Sequence, residues 1–307
     1  MKAGFIGLGT MGQHMAANLQ AAGHELVVHD VRESAAERHL AAGAVWADTP
    51  ADVMAAVDVV FTSLPTPAVV EEVALGTSGL LESAREGKVL FDLSTNSPTA
   101  VREIERVFRT KGGVVCDAPV SGGPSGARTK KLSVYVGGDR DVFDSHRGLL
   151  SAFSDEQLYV GPIGAGTIAK LAHNCVGYMI NCAIAEVFTL GVRGGVDPLD
   201  LWRALRMGSV GRRRTFDALA TQFLSHSFDV PAFSLRLAHK DVGLANEFAR
   251  EMGIPLRMAG LTFAEMTEAL ARGWGDRDSR VAMLLQEERA GVRIEIPAEI
   301  LRRELEG

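Results

Sequence analysis

Three sets of residues in this 307-residue chain have the types and spacing to do chemistry. Lys170 stands in an unusually apolar run, Gly161 to about Val192, and the polar residues Asn174 and Asn181 follow it at offsets of 4 and 11. At about 100° per residue those offsets place all three on one stripe of a helix. An ammonium buried without a partner is costly, so the stripe is expected to face a polar cleft, where desolvation would depress the lysine's pKa towards that of a working acid/base. The second set is Gly7-Leu8-Gly9-Thr10-Met11-Gly12, a GxGxxG, with Asp30 lying 18 residues beyond Gly12. Its first two glycines permit a tight turn and the close approach of a pyrophosphate, Gly12 lets helix and strand pack, and the carboxylate would accept hydrogen bonds from an adenosine ribose. The third set, Ser121-Gly122-Gly123, offers an anion one hydroxyl and two backbone amides that it can approach closely.

Each set needs elements to carry it. The strand KAGFI precedes the glycines, the helical run QHMAANLQAAG follows, and the next strand, ELVVHD, ends in Asp30. The alternation continues through ESAAERHLAAG, a short strand at 44–46, a helix from Pro50, the strand DVVFTSL, a further helix, the strand KVLFDLST, a helix opened by Pro98 and the strand GVVCDAPV. Repeated strand and helix units predict a parallel, doubly wound sheet that binds ligands at the carboxyl ends of its strands, where Leu64, Pro65, Ser94 and Thr95 fall. LSVYVGG is expected to pair as a strand with the region of 158–160. Beyond Gly161 the patterns are helical: PLDLWRALRMG, TFDALATQFLS, SLRLAHKDVGLANEFAREMG, LTFAEMTEALARG and SRVAMLLQEERAG. The expected organisation is a dinucleotide-binding domain over 1–162, an all-helical domain over 163–292 entered by the long helix, and a tail over 293–307, either a surface helix or a segment laid on another subunit.

Composition narrows the function. With 38 acidic and 32 basic residues the net charge is −6, which argues against nucleic acid as the main partner. The most apolar long segment carries Lys170, Asn174, Asn181 and Glu186, so no membrane span is expected. MKAGFIG enters a strand at once and leaves no room for a signal peptide. Cys116, Cys175 and Cys182 form neither a disulfide framework nor a metal-binding spacing, which points to a reducing, cytoplasmic setting.

The chain resembles the β-hydroxyacid dehydrogenase family, which includes 3-hydroxyisobutyrate dehydrogenases, tartronate semialdehyde reductases and, more distantly, 6-phosphogluconate dehydrogenases. The motifs that carry the resemblance are GFIGLGTMGQHMAANL (4–19), FDLSTNSP (91–98), DAPVSGGPSGA (117–127), GAGTIAKLAHN (164–174) and KDVGLA (240–245). The resemblance implies a Rossmann-type domain followed by an all-α domain, with Lys170 as the catalytic lysine. It also implies that Ser121, Gly122, Gly123 and Asn174 hold the substrate's carboxylate and hydroxyl, and that Lys240 and Asp241 close over nicotinamide and substrate. Similarity further implies that the helical domain serves a homodimer or homotetramer. Three positions depart from the family pattern: His173, which looks more like the 6-phosphogluconate branch; Gly177, where that branch would carry a glutamate; and Lys130, which replaces a usual glycine.

The expected function is therefore an NAD-dependent dehydrogenase that interconverts a small 3-hydroxy acid and its semialdehyde or 3-oxo acid. The alternatives are a 6-phosphogluconate dehydrogenase-like or imine reductase-like enzyme, or a non-catalytic dinucleotide-binding scaffold; the catalytic lysine speaks against the imine reductases. Asp30 favours NAD over NADP by repelling a 2′-phosphate, and Arg32 would soften that effect. Two basic runs, Arg128, Lys130 and Lys131, and Arg212, Arg213 and Arg214, suggest a second anionic group on the substrate, with Arg212 as its contact.

Overall fold

The computed structural model describes residues 1–208, 211–212, 219–251, 253 and 256–306. The chain divides into two compact units, Met1–Ala172 and His173–Gly307. The division falls inside a helix, beyond the boundary expected near 162, because the helix starts against the sheet and continues into the second unit.

The first unit is built on nine strands: β1 (Lys2–Ile6), β2 (Glu25–His29), β3 (Val45–Trp46), β4 (Val59–Thr62), β5 (Val89–Asp92), β6 (Val114–Asp117), β7 (Val120–Ser121), β8 (Ser133–Gly137) and β9 (Glu156–Gly161). They form one sheet in the order β3-β2-β1-β4-β5-β6-β8-β7, with β9 also paired to β8. From β3 to β6 every pairing is parallel. The expected parallel, doubly wound sheet is present, and to it are added β8, antiparallel to both β6 and β7, and β9, which pairs with β8 as expected and in parallel. Between Ser121 and Ser133 the chain makes only a two-turn helix and a left-handed turn at Lys130 (φ 63°), too little for the crossover that a parallel pair requires.

Around the sheet lie α1 (Gly12–Ala21), α2 (Glu37–Ala41), α3 (Pro50–Ala56), α4 (Pro67–Leu75), α5 (Pro98–Arg109), α6 (Gly123–Thr129), α7 (Arg140–Leu150) and the start of α8 (Ala165–Arg193). Their starts follow from local chemistry. Thr49, Thr66 and Asp139 accept backbone N–H bonds from Asp52, Val69 and Val142, and prolines open α3, α4 and α5. Because helices cover both faces, successive strand residues are all buried: Val59, Phe61 and Phe91 enter one core layer, Val60 and Leu90 the other.

One core residue makes this unit sensitive to acid. His39 on α2 is fully buried, with Nδ1 2.9 Å from Gln20 Oε1, and burial followed by the nearby Arg38 charge lowers its pKa from 6.5 to about 4. Between those values the unfolded chain binds a proton that the folded one refuses, so this contribution to stability is complete above pH 6.5 and lost as pH falls towards 4. Thermal melts should lose several degrees across that window, and His39→Gln should flatten this part of the profile. An unchanged slope in the variant would assign the sensitivity elsewhere.

In the second unit α8 is followed by α9 (Pro198–Met207), α10 (Leu235–Glu251), α11 (Arg257–Ala271), α12 (Leu284–Ala290) and α13 (Ala298–Glu306). Helices form over PLDLWRALRMG, SLRLAHKDVGLANEFAREMG and LTFAEMTEALARG as their patterns predict. SRVAMLLQEERAG is divided into a 3₁₀ stretch over Ser279–Met283 and α12, with Asp278 capping the former. TFDALATQFLS lies partly outside the described residues, and 219–226 are not α-helical. The tail packs on its own chain: Ile294, Ile296 and Leu301 are buried, and the Ile296 N–H donates to the Leu224 carbonyl at 2.7 Å. Among the described residues no helix is long and apolar enough to cross a membrane.

Candidate active site

The glycine turn after β1 shows three different uses of a missing side chain. Gly7 has φ +91°, and a Cβ there would meet the Ser63 carbonyl oxygen at 2.3 Å; on Gly12 it would meet the Gly7 oxygen at 1.8 Å. Both positions weld the start of α1 to the strand ends. A Cβ on Gly9 would meet nothing within 4 Å, so the backbone there opens outwards. Asp30 folds its carboxylate over the turn, accepting from Leu8 N–H at 2.8 Å and Arg32 N–H at 3.0 Å. A cleft of about 400 Å³ lies alongside, lined among others by Gly9, Thr10, Arg32, Ser34 and Arg38. Burial, then the charges of Arg38 and Arg128, hold His14 on α1 below its usual pKa. Open backbone at a helix start and a carboxylate beside it fit a nicotinamide dinucleotide, with its pyrophosphate at Gly9 to Gly12.

The next two strand ends are fastened together by a buried acid that the sequence reading passed over. Asp92 Oδ1 accepts from Thr62 Oγ1 at 2.9 Å and Ser94 N–H at 3.1 Å, and its Oδ2 accepts from Asn96 Nδ2 at 2.9 Å. Burial pushes this carboxyl up in pKa, and those hydrogen bonds oppose the shift. The Leu64 N–H donates in turn to Ser94 Oγ at 2.9 Å, which ties the segments that leave β4 and β5, where Pro65 and Thr95 are the next residues. The only signal of Asp92 in the sequence was an acid ending an otherwise apolar strand.

Beyond β6, Ser121 ends β7 and Gly122 (φ 134°) and Gly123 (φ 62°) turn the chain into α6. A Cβ on Gly123 would meet nothing within 4 Å, which leaves this backbone approachable. Arg128, expected beside the substrate turn, lies near enough to His14 of α1 to depress its pKa. Lys170, the sixth residue of α8, is buried, with 8% of its surface exposed.

The second unit assembles its own cluster. Asn174 Nδ2 donates to Asp241 Oδ2 at 2.6 Å, Lys240 Nζ pairs with Asp241 Oδ1 at 2.9 Å, and Asp241 is 1% exposed. His173 Nδ1 lies 3.1 Å from Asn174 Oδ1. Tyr178, which the sequence did not single out, stacks on Phe233; burial and then the Asp241 charge raise its phenol well above the usual value. Arg212 is exposed, and its Nε donates to the Met207 carbonyl at 3.1 Å. Arg213 and Arg214 lie outside the described residues.

The sheet order and glycine turn define the first unit as a Rossmann-type dinucleotide-binding domain. Residues 2–161 match the family described as the NAD binding domain of 6-phosphogluconate dehydrogenase, and 164–286 that described as NAD-binding of NADP-dependent 3-hydroxyisobutyrate dehydrogenase. The chain belongs to the β-hydroxyacid dehydrogenase family. It is 33% identical to 2-(hydroxymethyl)glutarate dehydrogenase of Eubacterium barkeri, over 96% of this chain and 97% of that one. To the human mitochondrial 3-hydroxyisobutyrate dehydrogenase it is 34% identical, over 93% and 87% respectively. The solved structure of Mycobacterium tuberculosis 3-hydroxyisobutyrate dehydrogenase with L-serine superposes with a TM-score of 0.83 at 29% identity, covering 92% of this chain and 98% of that one.

Proposed function

We propose that the protein is an NAD-dependent dehydrogenase of a small 3-hydroxy acid, which it interconverts with the semialdehyde or 3-oxo acid, and that Lys170 is its general acid/base. The observation that carries this reading is the buried Lys170, rooted in the unit that holds the glycine turn. When bound, the dinucleotide supplies the hydride chemistry, and the protein must orient the substrate and move one proton. Lys170 takes the hydroxyl proton on oxidation and returns it on reduction. We assign substrate contact to Ser121, Gly122 and Gly123 in the first unit and to Asn174, Lys240 and Asp241 in the second; Lys240 is also assigned to the cofactor, with Leu64, Pro65 and Thr95. The family resemblance supports those assignments.

Asp30 supports NAD as the preferred cofactor, because its carboxylate would repel a 2′-phosphate, and Arg32 and Arg38 in the same cleft temper that preference without reversing it. Catalytic efficiency is expected to be higher with NAD than with NADP, and a preference for NADP refutes this part of the reading. The reading includes a reducing, cytoplasmic setting, supported by three free cysteines, and a homo-oligomer, supported by Val176 and Ile180, exposed one turn apart on α8.

A second reading gives the substrate a further anionic group. It is favoured by the exposed Arg212 just past α9 and by similarity to an enzyme named for the dianion 2-(hydroxymethyl)glutarate. One assay tests both: turnover of monoanionic and dianionic 3-hydroxy acids with each cofactor, in wild type and Arg212→Ala. Turnover of neither class defeats the dehydrogenase reading. A preference for dianions that the substitution abolishes selects the second reading, and monoanions turned over equally well by both proteins reject it.

A further inference from the structure

Helix α8 starts without a cap of its own. The residue before Ala165 is Gly164 (φ +88°), which has no side chain to offer the first turn. The backbone N–H groups of Gly164 and Thr167 donate instead to the two oxygens of one remote carboxylate, Asp117 Oδ1 at 2.7 Å and Oδ2 at 2.5 Å. These are the two positions, the cap residue and the third helical residue, that a capping box would satisfy from within the helix. Here a single acid 47 and 50 residues upstream does both tasks, and its negative charge suits the positive end of the helix.

The fit around this acid is close. Asp117 ends β6 and is 1% exposed. A Cβ on Gly137 would approach Asp117 Oδ1 to 2.5 Å, and one on Gly166 would approach the Asp117 carbonyl oxygen to 2.6 Å and that of Tyr135 to 2.3 Å. Strand end and helix start thus meet backbone to backbone. From Asp117 the chain runs on through Ala118 and Pro119, pinned by the bonds from Ala118 N–H to the Asp92 carbonyl and from Tyr135 N–H to the Pro119 carbonyl, and reaches the Ser121-Gly122-Gly123 turn. Lys170 is three residues beyond Thr167, about 4.5 Å along the helix axis.

We propose that Asp117 is a positioning residue that sets the axial and rotational placement of α8, and through it the placement of the Lys170 amine relative to the substrate turn. The inference rests on the reading of Lys170 as the proton-transfer group. Asp117 acts through the helix and not on the reacting atoms. In Asp117→Asn one amide oxygen can still accept, but the other position presents N–H groups to a backbone N–H, and the helix start must shift.

The test is a double-mutant cycle on turnover with wild type, Asp117→Asn, Lys170→Ala and the double variant, with NADH affinity measured by fluorescence titration for each. Asp117→Asn is expected to lower kcat roughly tenfold or more with NADH affinity unchanged, and the double variant to be no slower than Lys170→Ala alone. Losses that multiply in the double variant overturn the inference while leaving the role of Lys170 intact, as does wild-type kcat in Asp117→Asn. Wild-type turnover in Lys170→Ala overturns both. Should Asp117→Asn fail to fold, Asp117→Glu, which keeps the charge and both oxygens but displaces the helix by one methylene, carries the same cycle.

Discussion

Replacing Lys170 with alanine is expected to reduce turnover about a hundredfold or more while NADH binding survives. The two effects separate because, in the proposed reading, the dinucleotide sits on the turn after β1, which is shaped by its glycines and by the bond from Leu8 N–H to Asp30, whereas the lysine is on α8. A general acid/base contributes on the order of 10²–10⁴ in rate, so the loss should appear in kcat and kcat/KM together. Lys170→Arg should recover little, since a guanidinium keeps the charge but does not give up its proton at working pH. Steady-state kinetics with a fluorescence titration of NADH decides the matter; near-normal turnover in the alanine variant would sink the assignment.

The second large effect is expected at Gly12. Its added methyl would stand 1.8 Å from the Gly7 carbonyl oxygen, a backbone atom held because Gly7 N–H itself bonds the His29 carbonyl at 3.0 Å. Neither group can yield without separating α1 from β1, so Gly12→Ala should lower the melting temperature and reduce NADH affinity at least tenfold; overpacking of this kind costs about 1–3 kcal/mol or more. Gly9→Ala gives the contrast. A methyl there meets no protein atom within 4 Å, so the fold should melt as wild type while affinity falls, because the methyl enters the space the pyrophosphate needs. Wild-type melting and affinity in Gly12→Ala would refute the account of the turn.

Much of this architecture was legible because certain positions tolerate only one residue type. The GxGxxG turn between β1 and α1 was readable from the sequence, since tight turns and close approaches demand glycine locally. What escaped depends on partners distant in the chain. The direction of β8 is set by a connection too short for a crossover, and apolar alternation is the same in either direction. Asp92 and Asp117 each end an apolar strand, and nothing local distinguishes them as organisers of neighbouring loops. SRVAMLLQEERAG opens as a 3₁₀ stretch behind Asp278, whose carboxylate also accepts from the Ala232 N–H, 46 residues earlier. The basic runs were legible only as charge, which shows that a side chain prefers water or a counterion and does not say which partner it meets.

The brevity of β3 bears on how the molecule behaves at high concentration. Only Val45 and Trp46 pair with β2 at that margin of the sheet, and the chain leaves at once: Trp46 Nε1 donates to Asp48 Oδ1 at 2.8 Å, and Thr49 and Pro50 open a helix. A strand from another molecule needs a row of open N–H and C=O groups on which to register, and two residues followed by a capped helix offer too few. Although Val45 is 57% exposed, this margin is a poor template for β-type aggregation, and crowding should leave it unextended.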